Sequence, residues 1–164
     1  MNYMKISTMD TANGKAIGVV LWVSGCSHHC KGCHNPETWN PCHGEPFTEN
    51  TLKTLIDSLN YPYVQRLTLS GGDPLYEQNR ATIESVVKRI KRALPTKKIW
   101  LYTGYLWEDI TDLELLDYID VLVDGKFVQE LKDISLPFCG STNQRIIDVQ
   151  QSLERGQVIL YNCD

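Results

Sequence analysis

The chain has 164 residues, of which 42% are hydrophobic and 22% are charged, and its net charge is -4. This composition predicts a single globular domain, residues 1–164, and excludes extended disorder. The acidic balance argues against a nucleic-acid partner, although residues 88–92, KRIKR, form a local basic patch. No apolar run approaches the roughly 20 residues that span a bilayer, and no secretory leader pattern is visible. We therefore expect a cytoplasmic protein with no membrane partner.

Strand and helix patterns alternate along the chain. The apolar spacing predicts, in chain order, a strand at 18–23, a helix at 48–60, a strand at 64–70, a helix at 83–94, a strand at 98–103, a helix at 107–118 and a strand at 118–124, with weaker strand patterns at 145–149 and 157–161. This alternation predicts an α/β fold with a mostly parallel sheet. A closed eight-unit barrel takes about 250 residues, so we expect a partial, open (β/α) barrel. Its site should lie at the carboxyl ends of the strands.

Three of the six cysteines, Cys26, Cys30 and Cys33, directly follow the first predicted strand. In a reducing cytosol, such clustering favours metal binding or redox chemistry over disulfides. The uneven spacing, three residues and then two, suits a loop around three corners of a 4Fe-4S cluster. The fourth iron would then stay open, as catalytic metal sites do. Gly25 and Gly32 would let backbone amides approach the sulfides.

The same loop allows other sites. A structural zinc ion could take the three cysteines and a fourth ligand from Cys42, His28, His29, His34 or His43. A closed four-cysteine cluster that uses Cys42 would make the protein an electron carrier. Residues 30–34, CKGCH, also match the haem c attachment pattern, which belongs to exported proteins.

The remaining cysteines and two loop histidines have simpler interpretations. We expect Cys139 and Cys163 to be small buried hydrophobes outside the cluster. His28 and His29, between the candidate ligands, are expected to be exposed loop residues rather than ligands.

A second motif, Gly71-Gly72-Asp73-Pro74, ends the second predicted strand. The glycine pair would let a ligand lie against the backbone, and Asp73 could offer a carboxylate to a cationic amino group. The tetrapeptide is also an ordinary turn sequence. Its place at the end of the strand after the cysteine loop favours one crevice shared by both motifs.

Together these motifs resemble the radical S-adenosylmethionine (SAM) superfamily, in which a CxxxCxxC loop follows the first barrel strand and a GGE-type motif ends the second. Within it, the chain resembles the activating proteins of anaerobic (class III) ribonucleoside-triphosphate reductase. The segments that carry this resemblance are VSGCSHHCKGCHNPETW, LSGGDPL, IWLYTGYLWEDI, IDVLVDGKF and GSTNQRIIDV.

The resemblance implies a set of site residues. Cys26, Cys30 and Cys33 would ligate the 4Fe-4S cluster, and SAM would chelate its open iron. The residues implied to contact SAM are Gly32, Cys33, His34, Gly71, Gly72 and Asp73, with Thr103 and Asp124 as further candidates. Two positions depart from the superfamily pattern. Gly32 replaces a frequent aromatic residue, and Asp73 replaces glutamate, which leaves the role of its side chain open.

The resemblance also implies an activity. One electron from the reduced cluster would cleave SAM into methionine and a 5′-deoxyadenosyl radical, which would remove hydrogen from a glycine near the C-terminus of the large reductase subunit. A donor such as flavodoxin would supply the electron. Another small radical SAM enzyme, acting on a small molecule such as a deazapurine precursor, is the alternative within the superfamily.

Overall fold

A computed structural model, which describes residues 1–163, contains a mixed sheet of seven strands in the order β3-β1-β2-β4-β5-β6-β7. The strands are β1 (Asn2–Asp10), β2 (Gly18–Val23), β3 (Glu45–Pro46), β4 (Arg66–Gly71), β5 (Lys98–Tyr102), β6 (Val121–Asp124) and β7 (Arg145–Asp148). The helices are α1 (Glu49–Leu59), α2 (Glu77–Ala93) and α3 (Val149–Arg155). The α/β prediction is confirmed as a mixed, unclosed sheet. The predicted domain extends to Asp164, which lies outside the described residues.

The four central strands, β2, β4, β5 and β6, are parallel, whereas β1, β3 and β7 are added antiparallel at the edges. The central strands are buried on both faces, which is why β2 reads as the continuous apolar run GVVLWV. The two ends of the strand order, β3 and β7, do not pair with each other. The sheet is therefore open along one side.

One face of the sheet carries the helices and the main core. Alternate strand residues such as Leu21, Leu69 and Leu101 pack there with Leu55 of α1 and Ile90 of α2. Helix α1 begins at a capping box, in which the Thr48 side chain accepts from the amide of Thr51 and the Thr51 hydroxyl accepts from the amide of Thr48. The period of two along the strands sends the intervening residues to the opposite face.

That opposite face is filled at its amino-terminal end by Arg66, the first residue of β4, whose side chain is fully buried. Its guanidinium donates to the Asp10 carboxylate at 2.7 Å and to the Thr68 hydroxyl at 2.7 Å. Burial raises the pKa of the Asp10 carboxyl, but hydrogen bonds from Arg66 and Asn13 outweigh it and hold that pKa below its usual value. The ion pair closes this end, so that open space remains at the carboxyl ends of the strands.

The predicted helix at 107–118 is wrong. Two short 3-10 turns, Trp107–Asp109 and Glu114–Tyr118, replace it. Trp107 of the first turn and Leu115 of the second are both buried in the core, and this tertiary packing overrides the helical pattern. The weak strand pattern at 157–161 yields only an isolated bridge between Ile147 and Leu160.

Three elements were not predicted: the edge strands β1 and β3 and the short helix α3. The basic patch of α2 is paired with acidic side chains, because Lys88, Arg89 and Lys91 contact Glu84, Glu49 and Asp120. Over residues 1–163, helices that combine the length and apolarity needed to cross a membrane are absent.

Candidate functional site

The loop at 24–44 returns to its own starting point beside the end of β2. The amide of Gly25 donates to the carbonyl of Thr38 at 2.7 Å, and the amide of Cys26 donates to the carbonyl of Trp39 at 3.0 Å. These two bonds close the base of the loop. The segment that carries the three cysteines is therefore closed into a loop by backbone hydrogen bonds.

A tight turn brings the second and third cysteines together. The amide of Cys33 donates to the carbonyl of Cys30 at 3.0 Å, and Gly32 adopts a left-handed φ of +73°. A β-carbon on Gly32 would also meet the side chain of Gln129, which packs on this turn. The left-handed backbone conformation is what favours glycine here.

Burial and neighbouring backbone amides act in opposite directions on the pKa values of two of the cysteines. Burial raises the pKa of the Cys26 thiol, while hydrogen bonds from the amides of His28 and His29 act in the opposite direction. Burial likewise raises the pKa of Cys30, opposed by a hydrogen bond from the amide of Phe127. Amide donors of this kind stabilise thiolates and cluster sulfurs.

Cys33 follows the same pattern, because its sulfur accepts a hydrogen bond of 3.4 Å from the amide of Asn35. The sulfur of Cys33 therefore accepts an amide hydrogen bond, and three cysteine sulfurs on one loop are a ligand set that fits an iron–sulfur cluster. Within the described chain, no three His, Cys, Asp or Glu side chains are placed to hold one metal ion between them.

The Gly-Gly-Asp turn is joined to the cysteine loop through the backbone. The amide of Gly72 donates to the carbonyl of Val23 at 2.8 Å, and the amide of Asp73 donates to the carbonyl of Gly25 at 2.8 Å. Gly71 has a φ of +109°, in the region that favours glycine. The two motifs that were separated by about forty positions in the sequence therefore form one continuous surface.

A cavity of about 440 Å³ opens at the carboxyl ends of the central strands. This volume is in the range of small-molecule sites. The predicted site residues that line it are Cys26, Cys30, Cys33, His34, Gly71, Gly72, Asp73 and Thr103. Aromatic side chains from the sheet and from the segment after β6, namely Trp22, Tyr102, Phe127 and Phe138, supply apolar wall.

Other predicted residues lie away from this cavity or have another role. Gly32 packs against Gln129 and is not among the lining residues. Asp124 is fully buried and is bound to Arg145 and to the amide of Trp107. Cys42 is exposed and does not line the cavity.

Cys139 lines the cavity and packs beside Trp100 in a small second core, where burial raises the pKa of its thiol to about 11. The thiol is therefore protonated at neutral pH. Its partial burial agrees with the expected role of a small hydrophobe.

The Asp73 carboxylate, 1% exposed as a residue, is bound inside the protein. It accepts hydrogen bonds from the amide of Leu75 at 2.8 Å, the Thr103 hydroxyl at 3.0 Å and the amide of Gly104 at 3.0 Å. Nε2 of His28 lies 2.8 Å from it. The predicted free carboxylate for a ligand ammonium group is therefore not what this geometry provides.

The sequence did not predict two residues whose side chains contribute to this site, His28 and Asn79. His28 was expected to be exposed, but its side chain is only 8% exposed, whereas His29 is exposed as predicted. Asn79 is buried and its amide nitrogen donates to the carbonyls of Ser24 and Asp73. The available signal was a polar residue four positions before Ile83, on the apolar face of α2.

Comparison with known proteins shows the family to which the chain belongs. Residues 12–147 match the family described as a 4Fe-4S single cluster domain. The anaerobic ribonucleoside-triphosphate reductase-activating protein of Enterobacteria phage T4 is 50% identical over 146 residues, 89% of this chain and 93% of the relative. The chain belongs to this family of activating proteins.

Bacterial members are similar over the same extent. The activating protein of Escherichia coli K12 is 45% identical over 88% of this chain and 96% of its own length. The protein of Vibrio cholerae is 43% identical over 89% of this chain and 97% of its own length. The family match supports an iron–sulfur cofactor in this chain.

Proposed function

We propose that this protein activates an anaerobic ribonucleoside-triphosphate reductase by generating a glycyl radical on it, and that residues 1–164 act as one domain, a partial radical SAM barrel. When bound, a reduced 4Fe-4S cluster supplies the electron that cleaves SAM to methionine and a 5′-deoxyadenosyl radical, which takes hydrogen from a C-terminal glycine of the reductase. The protein binds and orients the reactants.

One observation carries the proposal: the three cysteines of the loop and the Gly-Gly turn line the same cavity. Cys26, Cys30 and Cys33 hold the cluster. Cys42 is exposed and lies outside the cavity lining. A three-cysteine set leaves one metal position for an exogenous ligand, as expected of a catalytic site and not of a closed electron carrier.

The chain's own residues orient SAM. Gly71 and Gly72 present their main chain to the methionyl end. A β-carbon at either position would meet the backbone of Val23 or Gly25 and move the turn away from the cysteine loop. His34, beside Cys33, contacts the same ligand from the cluster side. Asp73 contributes through its main chain, since its carboxylate is bound to other groups of the protein.

The partner is the large subunit of the reductase. The edge strands β3 and β7 do not pair, so the sheet leaves its cavity accessible to a segment of another protein. The cavity's aromatic wall, including Trp22 and Phe138, would exclude water from the radical. A glycine-bearing segment fits this arrangement, since it brings no side chain to the reacting carbon.

The electron donor, such as a flavodoxin, approaches from another side of the cluster loop. Cys26 lines a second cavity, of about 430 Å³, together with His29, Trp39 and Tyr76. A donor at that position would reach the cluster without entering the cavity assigned to SAM. Both partners could then be bound at once.

The deciding experiment measures 5′-deoxyadenosine release from SAM by the anaerobically reconstituted, dithionite-reduced protein, with and without the large reductase subunit. We expect release and an electron paramagnetic resonance (EPR) signal of a glycyl radical that appears only with the subunit. The Cys33→Ser protein is the matched negative control, because it loses one proposed cluster ligand.

The other outcomes separate the alternatives. Cleavage without a radical on the subunit would retain radical SAM chemistry and point to a small-molecule substrate. A fully loaded cluster that does not cleave SAM would favour the closed-cluster electron carrier, and zinc in place of iron would favour a structural module.

A further inference from the structure

The starting observation is a contact between the two motifs that does not involve the cysteines. His28 lies between Cys26 and Cys30 in the sequence, and its Nε2 is 2.8 Å from Oδ2 of Asp73 in the Gly-Gly-Asp turn. The two side chains are 8% and 2% exposed. Buried polar groups of this kind are costly unless they are paired, so the contact constrains both segments.

The imidazole lies in a closely fitting slot. Its ring makes an edge contact with Tyr105, with 4.7 Å between centroids and an interplanar angle of 73°. On another side it meets the backbone of Gly104, where a β-carbon would overlap the imidazole ring of His28. The absence of a side chain at position 104 is therefore what makes room for the ring.

The carboxylate that holds His28 is itself fixed. The Thr103 hydroxyl, directly after β5, lies 3.0 Å from both oxygens of Asp73 and can donate its one proton to either of them, and the amide of Gly104 donates to Oδ2 at 3.0 Å. An ionised carboxylate offers about four lone-pair sites, and the donors from Leu75, Thr103, Gly104 and His28 account for that number. No acceptor capacity remains for a ligand ammonium group.

We propose that His28 and Asp73 are positioning residues, whose hydrogen bond fixes the cysteine loop relative to the Gly-Gly turn and the end of β5. The inference rests on the proposed function, because the two segments so joined would hold the cluster and SAM. The Asp73 carboxylate then acts through His28 and Thr103 and does not contact SAM, which leaves only the main chain of Asp73 for the ligand. A shift of about 1 Å between reacting groups can lower a rate about 100-fold, which sets the expected scale of the effect.

The test compares two substitutions of His28. His28→Leu keeps much of the side-chain volume and removes the hydrogen bond, whereas His28→Gln can still donate to Asp73. His43→Leu is the matched control, because His43 is an exposed histidine of the same loop. Its side chain has one described hydrogen bond, with the carbonyl of Glu37. Iron content is measured first, so that only loaded proteins are compared.

Three readouts distinguish positioning from simple structural support. We expect His28→Leu to lower kcat for 5′-deoxyadenosine formation about 100-fold, with iron content retained, and to change the EPR spectrum that SAM induces in the reduced cluster. His28→Gln should recover most of the rate. In the cluster-free protein, amides of residues 26–33 should exchange faster in His28→Leu than in wild type or His43→Leu.

A double variant that combines His28→Leu with Asp73→Asn tests whether the two side chains act together. If the two side chains act as a unit, His28→Leu/Asp73→Asn should be no slower than the slower single variant. Additive losses, or a His28→Leu protein with wild-type kcat, spectrum and exchange, would overturn the inference. If the wild-type protein does not cleave SAM, the proposed function fails, and the exchange comparison alone then decides whether the pair fixes the loop.

Discussion

A β-carbon built on Gly72 would lie 2.5 Å from the carbonyl oxygen of Gly25, closer than side-chain carbons approach such atoms. The carbonyl of Gly25 also accepts the hydrogen bond from the amide of Asp73 at 2.8 Å. The Gly-Gly turn therefore has no room to accept a side chain without moving away from the cysteine loop.

Gly72→Ala should weaken SAM binding at least about 10-fold, because the added methyl group separates the two motifs that line the cavity. Equilibrium titration of SAM into the loaded protein measures this. Gly156→Ala is the control: Gly156 has a φ of +63° at the end of α3 and no neighbour within 4 Å of an added β-carbon. It should lose about 1 kcal/mol of stability and retain SAM affinity. Equal affinities in wild type and Gly72→Ala would contradict the prediction.

Cys42→Ala should retain a full cluster and SAM cleavage, since Cys42 is exposed and outside the cavity lining. Cys33→Ala should lose iron, because it removes a sulfur that lines the cavity and accepts the amide of Asn35. Iron and sulfide analysis with the EPR spectrum checks both variants. Iron loss in Cys42→Ala would instead support a closed four-cysteine cluster.

Arg145→Met should destabilise the fold by about 3 kcal/mol. Arg145 donates to the fully buried Asp124. Its loss leaves that carboxylate with the amide of Trp107 as its remaining hydrogen-bond donor among the described residues. Glu108→Gln removes the more exposed partner of the same arginine and should cost less than about 1 kcal/mol. Urea unfolding measures the free energy of unfolding of both variants. Equal losses of stability would show that burial of Asp124 does not determine the cost of removing its partner.

Asp120→Asn should destabilise the protein at neutral pH but not in acid. Burial raises the pKa of Asp120, but hydrogen bonds from Lys91, Lys98 and the amide of Ile99 outweigh it, so the folded-state pKa lies below the ordinary 3.8. The stabilisation is therefore complete above the unfolded-state pKa and is lost as the pH falls through the lower folded-state value.

We expect the Asp120→Asn difference to be about 2 kcal/mol at pH 7 and to disappear as the carboxylate protonates. Unfolding of the cluster-free protein from pH 7 to below the folded-state pKa of Asp120 measures this without a contribution from acid loss of iron. Asp57→Asn, which removes only the exposed pair with Lys53, should have little effect at any pH. A pH-independent loss in Asp120→Asn would refute the electrostatic cause.

Much of the architecture is visible in local patterns. The apolar run at 18–23 matches β2 in both bounds, and the helix at 48–60 matches α1 with Thr48 as its cap. These patterns are clear because a strand buried on both faces is a continuous apolar run, and a helix cap is a polar residue directly before the helix. The helix predicted at 107–118 was wrong because tertiary packing decides the structure there. The apolar residues of that segment have helical spacing, but they are buried from two separate 3-10 turns.

What the sequence by itself determined is the set of contiguous motifs: the cysteine triplet, the Gly-Gly-Asp turn and the alternation that brings strand ends to one edge. Only the tertiary structure decided how their side chains are used. His28 and Asp73 are 45 positions apart, and Arg66 and Asp10 are 56 apart. Whether such side chains face a ligand or each other depends on which segments pack together, and this is set by burial and hydrogen bonding over the whole chain rather than by neighbours in sequence.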